Sequence, residues 1–116
     1  MKWMFLLLLL GGIQGKAQVQ YEVIREAQNG QRILKGILST ELLMSDSASA
    51  WIKNDISWYK PNADCVAHLT AVKDSVQMVV FLGTWCEDSQ VVIPQFMKLL
   101  AQAGFDSKRL SILGVD

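Results

Sequence analysis

Apolar and polar positions change period several times along the chain. From Val19 to Ser39 the β-formers Tyr21, Val23 and Ile24 precede "QNGQ", and Ile33, Leu34, Ile37 and Leu38 follow it, so a β-hairpin turning at Asn29-Gly30 is expected. A helix through that pair would carry two poor helix formers in its middle. Ser39-Thr40 with Glu41, and then Ser45-Asp46-Ser47, are two helix-start signals. The second opens "SASAWIKNDISWY", where Trp51, Ile52 and Trp58 fall on one face of a helix that Pro61 closes. Trp51, Trp58 and Tyr59 are read as packing residues, since no groups that would hold a cation accompany them.

Asn62 to Lys73 predicts another helix, with Val66, Leu69 and Val72 at successive intervals of three. Val76 to Leu82, "VQMVVFL", is a continuous apolar run, as expected of a strand covered on both faces. Glu87 to Ala103 returns to helical period through Val91, Val92, Phe96, Leu99 and Leu100, with Gly104 as its C-cap, and Arg109 to Val115 reads as a strand. Strand, helix and strand at these lengths make a βαβ unit with parallel strands. The expected class is therefore α/β, with an N-terminal hairpin and helices over 18–75 and the βαβ unit over 76–116.

Residues 1 to 17 stand apart from the fold. Lys2, the apolar run from Trp3 to Ile13 and the small residues Gly15 and Ala17 have the order of a secretory signal cleaved after Ala17. The apolar run is well short of the roughly 20 residues that a spanning helix needs, which argues against a stable membrane anchor. A periplasmic or secreted location is the expectation. Without the leader the chain has 9 basic and 11 acidic side chains, a net charge of −2. Neither nucleic acid nor an anionic membrane surface is suggested as a partner.

Both cysteines, Cys65 and Cys86, remain in a compartment where disulfides persist. Two are too few for a disulfide framework, so the fold must rest on an apolar core. Cys65 and His68 share a helix at i, i+3, a possible two-ligand metal face. With no second pair at metal-ligand spacing, no metal and no cofactor is assigned.

Cys86 falls at the carboxyl end of a strand and the start of a helix, where open α/β sheets carry their chemistry. Unpaired amides and the helix dipole favour a thiolate there, and a Ser89 hydroxyl turned back toward the sulfur would add a hydrogen bond. Glu87 and Asp88 oppose ionisation. An inert buried thiol is the alternative.

The stretch "VVFLGTWCEDSQVVIP" resembles the active-site strand and helix of the thioredoxin superfamily, in which an apolar strand leads into Trp-Cys-x-x-Cys and a proline lies eight residues after the first cysteine. Trp85 and Cys86 match the tryptophan and the nucleophile, and Pro94 matches the proline. The Gly-Thr-Trp-Cys-x-Asp-Ser form behind a leader is similar to exported thioredoxin-like proteins of Bacteroidetes-type bacteria.

The resemblance implies thiol-disulfide exchange with protein or small-molecule thiols and disulfides, with Cys86, Ser89 and Trp85 as the site residues. Ser89 occupies the position of the resolving cysteine, and Val80 that of a buried acid found in many thioredoxins. After the strand that ends near Asp116, the family continues through a helix, a cis-proline loop, a hairpin and a final helix, so the sequence is expected to be a truncated one with an unprotected last strand. A thioredoxin-fold binding or scaffold module without turnover is the competing expectation. Cys65 as a distant resolving thiol is a further possibility.

Overall fold

The computed structural model describes residues 20–116, and the expected leader lies outside the described residues. It is an α/β protein with one four-stranded mixed sheet. The elements are β1 (Tyr21–Arg25), β2 (Arg32–Leu38), α1 (Thr40–Ser45), a 3-10 segment (Ser47–Lys53), α2 (Ala63–Val72), β3 (Met78–Leu82), α3 (Glu87–Ala103), a short 3-10 turn (Ser107–Arg109) and β4 (Leu110–Gly114).

The sheet order is β1-β2-β4-β3. The hairpin forms as expected, with Ile24 opposite Ile33 and Gly30 at φ 68 in the turn, where a glycine adopts the left-handed region without strain. β3 and β4 pair in parallel, with Val80 beside Ile112 and Phe81 beside Leu113. β2 then runs antiparallel to the other side of β4, with Gly36 opposite Gly114. A Cβ on Gly114 would collide with the Leu34 carbonyl oxygen, so this pairing admits no side chain there.

Residues on both sides of position 75 build one core. Leu34, Leu38, Leu43 and Trp51 pack with Leu82, Ile93 and Ile112. Full burial of a leucine such as Leu34, Leu43 or Leu82 contributes about 1.5–3 kcal/mol. The segment before β3 is therefore part of the same sheet and the same core as the βαβ unit.

Four expectations need correction. β4 is not an unprotected edge, because the hairpin lies against it, and among the described residues β3 is the outermost parallel strand. β3 is covered on one face only: Leu82 is buried while Val79 and Phe81 are 58% and 67% exposed, because the helices of the core lie against the other face.

The helix expected through Trp58 stops early. The 3-10 segment ends at Lys53, an Asp55 carboxylate accepts from the Ser57 amide in a turn, and Trp58 is 69% exposed against the edge of Tyr59. Finally, α3 buries Ile93, Pro94, Leu100 and Ala103, while Val91 and Val92 face outward.

Candidate functional site

The turn between β3 and α3 is fixed from three sides. Thr84 is buried: its hydroxyl accepts from the Leu34 amide at 3.3 Å, and its carbonyl accepts from the Trp51 indole at 3.1 Å and from the Gln90 side-chain amide at 3.2 Å. The Cys86 amide donates back to the Gly83 carbonyl at 3.0 Å. A buried carbonyl without partners would cost about 1–3 kcal/mol, so these bonds both satisfy the turn and hold its shape. Sequence reasoning places Trp51 in the core and does not reveal its indole bond. The paired donors Trp51 and Gln90 converge only in the folded chain.

Cys86 follows at the N-cap of α3, half-buried, with extended backbone at φ −83 and ψ 122. Its side chain makes no capping hydrogen bond, and among the described residues no other side chain accepts from the first amides of the helix. Those amides favour the ionised sulfur. The Ser89 amide contributes most, the Ser89 hydroxyl next and the Asp88 amide less, while burial and the Asp88 carboxylate oppose them; the balance holds the Cys86 thiol below its ordinary range.

Ser89 also ties the helix back to the strand, since its hydroxyl oxygen accepts from the Gly83 amide at 3.2 Å. That leaves the hydroxyl proton for the sulfur. Ser89 has no sulfur and cannot act as a second thiol; its hydroxyl is one of the groups that favour the ionised form of Cys86.

Trp85 lies beside the thiol, 41% exposed, and its indole N–H donates to the Val115 carbonyl at 3.1 Å. A Cβ on Gly83 would sit 3.0 Å from the indole Cε2 and Nε1 and 3.1 Å from the Cys86 Cβ. The indole edge and the thiol-bearing carbon are thus within about 6 Å of each other, and a side chain on Gly83 would press against both. The structure brings Trp85, Cys86 and Ser89 together in one turn. Val80 is half-buried behind it and supplies no proton acceptor.

Compared with family models, with curated proteins and with solved structures, the chain gives no match. The site is recognised by its geometry and by the chemistry of the residues themselves.

Cys65 does not join this turn. Both thiols are free, and Cys65 is exposed on α2. The Lys73 side-chain ammonium, just beyond α2, reaches within 3.3 Å of the Cβ position of Gly104, the residue that ends α3, so the two helices finish within a lysine's reach of each other. Counting back to the cysteines at ~1.5 Å per residue puts them roughly 15 Å apart along the helices, beyond the ~7 Å that a disulfide tolerates between Cα atoms. His68 is exposed on the same helix. Among the described residues, no group of three or more His, Cys, Asp or Glu side chains could hold a metal ion. Nor is any helix among them long and apolar enough to cross a membrane.

Proposed function

We propose that this protein is an exported, thioredoxin-like thiol-disulfide oxidoreductase that works through one nucleophilic cysteine. The observation that carries the reading is the Cys86 thiol at the start of α3, at the end of a parallel strand, held below its ordinary pKa by Ser89. The resemblance of "WCEDS" and Pro94 to the thioredoxin active site supports it, as does the βαβ arrangement around the turn. A leader of secretory type supports a site of action in the periplasm or outside the cell.

In this reading the Cys86 thiolate attacks one sulfur of a disulfide. A Cys86 mixed disulfide forms, the original S–S bond breaks, and the departing thiolate takes a proton from water. A second thiolate, supplied by an external thiol, attacks the mixed disulfide and releases Cys86. With Ser89 in place of a second cysteine and Cys65 out of reach, this outside thiol is required in every cycle. Capture, isomerisation and removal of small thiols suit such a cycle better than bulk reduction.

The test is the pH profile of Cys86 alkylation together with disulfide exchange in Cys86→Ser. Alkylation that begins below the ordinary thiol range, with exchange lost in the variant, is expected. Alkylation that follows an ordinary free thiol would sink the proposal. It would favour the second reading, a thioredoxin-fold binding or scaffold module without turnover, which the absence of a reachable second thiol also favours.

A further inference from the structure

A cleft of about 470 Å³ is lined by Trp85, Asp116 and residues of the β1-β2 hairpin. Its size falls within the range of small-ligand sites, roughly 300–1,000 Å³. The walls have an apolar part, Ile24, Ile33 and the Trp85 indole, of which Ile24 and Ile33 face each other across the hairpin ladder. The charged part is mixed. The Arg25 guanidinium is tied at 3.2 Å to the Gly30 carbonyl, Glu26 lines the rim, and the Asp116 carboxylate is paired at 2.9 Å with Lys35.

We propose that this cleft is the specificity subsite for the disulfide that Cys86 attacks, and that it takes an apolar side chain next to the target half-cystine of a polypeptide. The inference rests on the Cys86 reading above and adds to it a substrate class.

Two arguments select that occupant. The first is reach: Trp85 precedes Cys86 in the chain and its indole lies within about 6 Å of the thiol-bearing carbon, while an extended peptide advances ~3.3 Å per residue. A residue one or two positions from a half-cystine at Cys86 therefore arrives over the indole. The second is charge. A small anionic disulfide such as oxidised glutathione brings carboxylates that need cationic donors, and the guanidinium lining the cleft is engaged by the Gly30 carbonyl while the nearby Lys35 ammonium is paired with Asp116. An uncharged apolar side chain meets Ile24, Ile33 and the indole without that conflict.

The chemistry can be read with mixed disulfides of thionitrobenzoate. The Cys86 thiolate attacks the peptide sulfur, the peptide–Cys86 bond forms, and thionitrobenzoate, the better leaving group, departs with the electron pair as a coloured thiolate. The protein would be reacted with acetyl-Xaa-Cys amides capped in this way, with Phe, Leu, Gly or Asp at Xaa, and with the hydroxyethyl-thionitrobenzoate disulfide as a probe too small to reach the cleft.

Phe and Leu peptides are expected to react roughly tenfold faster than Gly, and Asp more slowly than Gly. Ala27→Trp, which places an indole in the cleft from its exposed turn, is expected to remove the Phe and Leu advantage and leave the hydroxyethyl probe unchanged. The peptide series on the unsubstituted protein decides the question even if that variant does not fold.

Equal rates along the series, or faster reaction with the mixed disulfide of glutathione and thionitrobenzoate than with the Phe peptide, overturn the subsite while leaving Cys86 as a nucleophile. No Cys86-dependent release from any probe overturns both readings together.

Discussion

Both cysteines stand at the beginning of a helix, Cys65 in the first turn of α2 and Cys86 at the cap of α3. In α2 the Asn62 side chain accepts from the Asp64 amide at 2.9 Å and from the Cys65 amide at 3.2 Å, so the exposed amides of that helix start are already occupied. In α3 the capping residue is the cysteine itself, and the amides of Asp88 and Ser89 remain for its sulfur. α2 also has no buried residue, whereas α3 is packed through Ile93, Pro94 and Leu100. A helix start activates a thiol when nothing else has claimed its amides and when the turn before it cannot move.

The largest expected effect is on chemistry. Cys86→Ser abolishes disulfide exchange altogether, while Cys65→Ser retains it, as release of a chromogenic thiol would show. In the unsubstituted protein, peptide mapping after brief alkylation at neutral pH should find Cys86 modified before Cys65; the reverse order would break the comparison.

The next effect is on the support of the turn. Trp51→Ala removes a buried indole and its bond to Thr84, and unfolding in urea should show a loss of about 3–5 kcal/mol.

Ser89→Ala removes the hydroxyl that faces the sulfur and accepts from Gly83. The pH profile of Cys86 alkylation should move upward, toward an ordinary thiol. The sign carries over to stability. A thiol whose folded-state pKa is lowered stabilises the fold as its anion, so the contribution is full above the unfolded thiol's pKa and is lost as pH falls through the lowered value. The stability difference between the unsubstituted protein and Cys86→Ser should therefore change across that window, and less so in the Ser89→Ala background.

Asn62→Ala costs α2 about 1 kcal/mol and frees the Cys65 amide, which hydrogen exchange along α2 would report.

The smallest effect concerns a third helix start, where Asp46 caps the 3-10 segment through Ala48 and pairs with Arg32 at 2.7 Å. Arg32 holds the Asp46 carboxyl below its usual range, so this stabilisation is present above the ordinary carboxylate pKa and fades as pH falls through the lowered one. Asp46→Asn keeps a capping oxygen and loses the charge, an expected cost of about 0.5 kcal/mol near neutrality by thermal melting.

Legibility in the chain differs by element. Asn29-Gly30 marks the hairpin because few residue pairs accept that turn, and the change from a continuous apolar run to helical period marks β3 and α3. "VQMVVFL" misleads because sequence cannot tell a strand flanked on both sides from an edge strand with Val79 and Phe81 outward. "SASAWIKNDISWY" misleads for a local reason: the Ser49 hydroxyl bonds the Leu43 and Asp46 carbonyls, its backbone leaves helical geometry at φ −118, and the Asp55 turn interrupts the run before Trp58. At the site, Trp85, Cys86 and Ser89 are close in sequence and can be read together. The supports at Trp51 and Leu34, and the cleft against the hairpin, depend on contacts dozens of residues apart.

The central position of β4 also orders events in time. Gly36 pairs with Gly114 across an interval of 78 residues, while β1 and β2 need only a short turn to meet. During synthesis the hairpin can form early, but its free side has no partner in this sheet until β4 has followed, more than 70 residues later. Long-range pairing of this kind slows folding, and an open strand edge in the interim invites pairing with other chains. The join between β2 and β4 is therefore where crowding and holding factors should matter most to the yield of folded protein.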